Sequence, residues 1–214
     1  MPINIFTTID DPLGTEGSNA AGINGSCQIV GAYQVSGLIH GFVFSGGSFT
    51  TVDDPSGTLG NEAFGINASG QIVGEYKDAS GFHGYFLSGN VFVTIDDPSA
   101  TSNNAAFGIN GSGQIVGGFK DASGLHGFVR SSGGSFTTIN DPLATLGTLA
   151  HGINDAGQIV GEYQDASAVH GFLRSSNGSS FTTLDDPLAT GQTRAFGINN
   201  MGQIVGRYID AIGT

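Results

Sequence analysis

The chain has 214 residues, six Lys or Arg against eighteen Asp or Glu, and a formal charge of −12, a balance that argues against nucleic acid as a partner. Charged residues make up only 11%, but 38% are apolar and 15 are Phe, so the composition excludes a disordered chain. No window approaches the roughly 18 apolar residues of a membrane span, the start MPINIFTTIDD lacks the basic and apolar regions of an export signal, and a lone Cys27 excludes an intrachain disulfide framework.

Residues 1–19 open the chain with a strand-like run, Ile3 to Asp11, that ends in Asp-Asp-Pro and passes into a link. Four repeats follow at 20–62, 63–105, 106–149 and 150–194, with a partial fifth at 195–214. The aromatic of the FTT-type run recurs at Phe6, Phe49, Phe92, Phe136 and Phe181, spaced 43, 43, 44 and 45 residues apart. Gln28, Gln71, Gln114, Gln158 and Gln203 of the QIVG run give the same four spacings. A period in the low forties fits a four-stranded propeller blade or a helical pair.

The local chemistry chooses strands. The second unit reads AFGIN, QIVGEY, HGYFLS and FVTIDD, short β-branched and aromatic runs punctuated by NASG, KDASG and SGN. Gly inside such runs would cost a helix about 1 kcal/mol each. Three hairpin links join the four strands, whereas the longer DPSATSNNA leads to the next unit, so the order is a, innermost, through b and c to d, outermost. The expected fold is all-β, a five-bladed β-propeller of 43–45-residue blades. Its fifth blade takes strands a and b from residues 195–208 and strand d from Ile3 to Asp11, which closes the ring. That blade lacks its third strand, because DAIGT stands where the other units continue into HGF. A longer natural chain, strand donation by a partner, or an oligomer at the incomplete blade would fill the gap.

GINASGQIVGEY followed by DASGFHGYF, and GINNMGQIVGRY in the last unit, resemble the HAF family of extracellular bacterial repeats, in which a GIN-x-x-GQIVG segment precedes a His-aromatic motif. The resemblance runs through all five units. It departs at the eponymous triplet, which here is His-Gly-Phe or His-Gly-Tyr at His40, His83, His126 and His170. It implies a bacterial protein, secreted or on the cell surface, and transfers no reaction.

With strands alternating in direction, the b–c turns and the d-to-a links share one face of the ring. Thirteen of fourteen Asp fall there, Asp155 excepted, and the longer loops make it the expected ligand face. Asp78, Asp121 and Asp165 lie five residues before His83, His126 and His170, a spacing that brings each pair together across the b–c turn; His40 faces Val35 instead. A carboxylate holding an imidazole tautomer is half of a general base, and equally an ordinary way to satisfy a polar blade edge. Asp53, Asp54, Asp96, Asp97, Asp185 and Asp186 are candidate calcium ligands, with strand termination by Asp before Pro as the plain alternative. The position before GIN reads Ala21, Phe64, Phe107, His151 and Phe196, so His151 is the one singular inner-strand candidate.

No nucleophile elbow, HExxH, Walker loop or CxxC occurs. The expected function is therefore non-enzymatic: lectin-like, multivalent binding of a carbohydrate or similar polar ligand, with no cofactor beyond a possible calcium ion. A structural or protein-interaction module of a longer surface protein is the alternative, and an enzyme with a single site near His151 the third reading.

Overall fold

A computed structural model describes residues 7–211, and every regular element in them is a strand. The first unit is β1 (Ser18–Ile23), β2 (Ile29–Val35), β3 (Leu38–Ser45) and β4 (Ser48–Val52). The second is β5 (Gly60–Ile66), β6 (Ile72–Asp78), β7 (Gly81–Ser88) and β8 (Val91–Ile95). The third is β9 (Ser102–Ile109), β10 (Ile115–Lys120), β11 (Leu125–Arg130) and β12 (Phe136–Ile139). The fourth is β13 (Gly147–Ile153), β14 (Ile159–Gln164), β15 (Val169–Arg174) and β16 (Phe181–Leu184), followed by β17 (Gln192–Ile198) and β18 (Ile204–Ile209).

Each four-stranded unit is an antiparallel meander in the predicted order. Single parallel bridges, Leu125 to Gly147 and Val169 to Gln192, tie the last three units into one ten-stranded sheet. The core lies between units. Val30 and Val52 pack with Ile72, Tyr76 and Tyr85 of the next unit, and the set repeats as Val73 and Ile95 with Ile115, Phe119 and Phe128. Both faces of a blade are thus buried, as in a parallel sheet. Gly117 is required at the ring contact: a Cβ there would sit 2.6 Å from Phe128 Cζ and 2.0 Å from the Ala105 carbonyl oxygen.

The a–b turn is built by the Asn of GIN. Asn67 Oδ1 accepts the N–H groups of Ser69 and Gln71, and the turn then needs a left-handed residue, supplied by Gly70 at φ 74°. Cys27 holds this place in the first unit at φ 58°, a conformation that costs an L-residue about 1–2 kcal/mol.

Each inner strand carries a bulge. In β5 the register jumps from Ala63 to Gly65, and in β13 from Ala150 to Gly152, so the residue before GIN is left unpaired and its side chain is re-aimed. The strands also start earlier than the repeat pattern suggested: β5 begins at Gly60 and β9 at Ser102, because the end of each link already pairs with strand b.

The predicted closing strand, Ile3 to Asp11, lies outside the described residues as far as residue 6, and residues 7–11 are not in a strand. Asp11 instead bonds within its own unit, its N–H donating to Ser18 Oγ at 3.1 Å. Among the described residues the last unit is open to solvent: Val205 is 68% exposed, whereas Val30, Val73, Val116 and Val160 at the same position are fully buried.

Candidate functional site

The face holding the b–c turns and the ends of the d strands is where the polar side chains converge. In the second unit, Asp78 Oδ1 caps the turn by accepting from Ser80 N at 2.7 Å, Ser80 Oγ at 2.6 Å and Gly81 N at 3.2 Å. His83, opposite Tyr76 in the sheet, stacks on its ring at 5.0 Å between centroids. Its Nδ1 donates to Asp96 Oδ2 at 2.6 Å, and the other Asp96 oxygen accepts the Gly84 N–H. Its Nε2 is 2.8 Å from Ser80 Oγ and 3.4 Å from Asp78 Oδ1. One imidazole is therefore clamped between a carboxylate from the b–c turn and one from the end of strand d, tying three strands together.

The clamp repeats with substitutions. His126 Nε2 is 3.0 Å from Asp121 Oδ1, while Asn140 Oδ1 takes the Nδ1 bond at 2.8 Å. His170 reaches Asp185 at 2.8 Å and Asp165 at 3.5 Å. His40, with Val35 in place of the turn Asp, keeps Asp53 at 2.7 Å. The five-residue Asp–His spacing thus does bring its pairs together. In the second and fourth units, however, the shorter bond goes to Asp96 or Asp185, which the sequence suggested as calcium ligands. A carboxylate some thirteen positions away is invisible to a local spacing argument; strand pairing c to d supplies it.

Burial alone would lower the His83 pKa, but the hydrogen bond and charge of Asp96, with Asp78 behind them, outweigh it and raise it; Asp185 and Asp165 do the same for His170. Bonds from Ser80 hold Asp78 below the usual carboxylate range, and those from Ser123 bring Asp121 down to about 2. Ser, His and Asp stand in the order of a nucleophilic triad, yet Ser80 donates its proton to Asp78 and not to the imidazole. With the hydroxyl proton committed to Asp78, Ser80 is not poised to pass it to Nε2 as a triad nucleophile does.

The second Asp of Asp-Asp-Pro has a different job. Asp54 and Asp97 are buried, and each Oδ1 accepts the N–H two residues on, from Ser56 and Ser99; Asp186 does so from Leu188. These are Asx turns that start the link. Among the described residues no three His, Cys, Asp or Glu side chains form a metal-ligating group.

His151 lies elsewhere, on the bulge of β13. Phe64, Phe107, His151 and Phe196 form a row across the inner strands with centroids 5.4, 5.1 and 5.3 Å apart. His151 Nε2 is 3.5 Å from Glu162 Oε2, and Glu162 Oε1 accepts from Arg194 at 3.1 Å. A second asymmetry escaped the sequence reading: Glu62 and Glu75 sit directly opposite each other on β5 and β6. Burial, then the charge of Glu62, pushes Glu75 up to about 7, against the pull of Lys77. The signal was present in the register position that reads Ala32, Glu75, Gly118, Glu162 and Arg207 along the chain.

No family model and no curated protein matches the chain. Solved structures do. TolB from Acinetobacter baumannii aligns at TM-score 0.63 and 10% identity, covering 79% of this chain and 44% of that one. Virginiamycin B lyase from Staphylococcus aureus aligns at 0.54 and 10% over 94% of this chain and 73% of its own, and a chain of a nidogen/laminin complex at 0.56 and 13% over 89% and 72%. The chain thus spans less than half of the TolB structure. At such identities the likeness carries the fold alone, and the fold is a β-propeller.

Proposed function

We propose that this propeller is a non-enzymatic binding module, lectin-like in its use of repeated equivalent sites, and that its ligand is a carbohydrate or a similarly hydroxylated polar molecule on the acidic loop face. The observation that carries this reading is the outer oxygen of three turn carboxylates. At Asp78, Asp121 and Asp165 the turn and the imidazole use only Oδ1, and no hydrogen bond among the described residues uses Oδ2. Each Oδ2 is an acceptor for a ligand hydroxyl, next to a Ser–His pair that can supply further polar contacts. Across the three units that carry the turn Asp, weak equivalent sites add up through avidity. The resemblance of the repeats to an extracellular bacterial family is what supports a setting outside the cell for such a module.

The test is a glycan array followed by calorimetry, with calcium and with chelator. Binding by the wild-type chain that falls stepwise as Asp78→Asn, Asp121→Asn and Asp165→Asn are combined supports repeated sites. Binding unchanged in the triple variant sinks the assignment to these turns, and a signal lost only with chelator moves it to Asp53, Asp54, Asp96, Asp97, Asp185 and Asp186. The alternative, a protein-interaction module of a longer surface protein, draws on the exposed apolar residues of the end units, Ile23 at 64% and Met201 at 81%.

A further inference from the structure

The third strand of every complete unit buries one aromatic ring: Phe42, Tyr85, Phe128 or Phe172, each with no exposed surface. Phe172 shows the socket. It packs among Ile139, Ala150, Ile159 and Tyr163, and its ring atoms lie 2.8 Å from where a Cβ on Gly161 would be. The His two residues earlier stacks on Tyr163 at 4.9 Å, and β15 runs along β14 for six residue pairs, from Ile159–Arg174 to Gln164–Val169.

One repeat later the same socket is built and open. A cavity of about 490 Å³ is lined by Leu184, Ala195, Ile204, Gly206 and Tyr208, which occupy the register of Ile139, Ala150, Ile159, Gly161 and Tyr163. The nearest atoms to a Cβ on Gly206 belong to Arg194 and Ala195, with no ring among them. Tyr208 is half-buried, whereas Tyr33, Tyr76 and Tyr163 are covered by their histidines. Among the described residues β18 pairs with β17 alone, so its six residues present one row of backbone donors and acceptors to whatever lies beside them.

We propose that the outer edge of β18 is a docking site for an extended segment of a partner polypeptide carrying the pattern His-Gly-aromatic. The segment adds antiparallel to β18, seats its aromatic ring in the cavity and lays its His over Tyr208. This is strand addition, with main-chain hydrogen bonds for affinity and a side-chain socket for specificity. Its occupant is defined by the four filled copies of the same socket in the molecule. The inference does not rest on the proposed ligand sites: Asp78, Asp121 and Asp165 do not line this cavity, although Asp185 and Asp186 of the acidic face do.

The experiment is fluorescence anisotropy of the full chain with a labelled, end-blocked peptide of the sequence SAVHGFLRSS, residues 167–176. Saturable one-to-one binding is expected. Replacing the peptide's phenylalanine (Phe172→Ala) weakens it by roughly tenfold or more, about 1.4 kcal/mol per factor of ten. In the protein, Ala195→Phe fills the cavity and abolishes binding while melting no lower than wild type, and Tyr208→Ser, which removes the ring that the peptide's His covers, weakens binding several-fold. Equal binding of the Phe172→Ala or a scrambled peptide overturns the proposal, as does failure of SAVHGFLRSS to bind. So does a stable dimer that Ala195→Phe disrupts and the peptide does not, which would assign the edge to a second copy of the chain.

Discussion

The side-chain amide of Asn110 donates to the main-chain oxygen of Asn154, one repeat further along, at 3.1 Å. Asn24 reaches Asn67, Asn67 reaches Asn110, and Asn154 reaches Asn199 in the same way. Each of these amides also bonds the Gln four residues on, and the Oδ1 atoms of Asn24, Asn67 and Asn110 each accept two N–H groups in their own turns, for Asn110 those of Ser112 and Gln114, while that of Asn154 accepts from Gln158. The Asn of GIN is therefore both the keystone of the a–b turn and the clasp between neighbouring units.

Asn110→Ala leaves several buried polar groups without partners, and a loss of about 2–4 kcal/mol is expected. Asn199, whose amide bonds only Gln203 among the described residues, should lose about 1 kcal/mol on the same change. Urea titration of the two variants checks the contrast; equal losses would show that the inter-unit bond carries nothing.

Cys27→Gly should stabilise the chain by about 1 kcal/mol, because the left-handed turn position is strained for any residue with a Cβ. A rise in melting temperature, seen equally under reducing conditions, is the expected result. The thiol is exposed and free, so its removal opens no cavity.

Gly117→Ala is expected to cost about 3 kcal/mol or more, since the added carbon meets the Ala105 carbonyl and the Phe128 ring and neither can withdraw from a packed core. Denaturant midpoints measure this directly. A near-neutral effect would mean that β9 and β11 can shift relative to β10 within the unit.

Stability should decline as pH rises above neutrality. His83 and His170 have folded-state pKa values raised above the unfolded value near 6.5, so what the charged imidazoles contribute is complete below that value and is lost as pH climbs through the folded one. Glu75, raised to about 7 by burial and Glu62, favours its protonated form in the fold and loses stability between its unfolded pKa and about 7. On the acid side, the lowered pKa values of Asp78 and Asp121 mean stability lost as pH falls below about 4. Melting temperature against pH should peak between these limits. Glu75→Gln should gain about 1–3 kcal/mol at pH 8 and little at pH 4; no pH-dependent gain would remove Glu75 from the account.

His151→Phe completes the aromatic row and removes an Nε2 that has no hydrogen-bond partner among the described residues. Stability is expected unchanged or higher by about 1 kcal/mol. Loss of binding or of any turnover in this variant would revive the single-site reading.

The sequence by itself determined the repeat, its four strands, their order and the face on which the acidic residues gather. These follow from repeat spacing and from strand-forming and turn-forming residue types, which are local, and from link lengths, which limit what can be neighbours. Only the tertiary structure decided that His83 belongs to Asp96 more than to Asp78, that Phe64 and Phe107 stand on bulges, that Glu62 opposes Glu75, and that the edge of β18 carries an open copy of a socket filled elsewhere. Each of these is a contact between segments brought together by strand register or by packing between units. A shift of one residue in register sends a side chain to the opposite face, so such contacts are fixed only when the whole sheet is assembled.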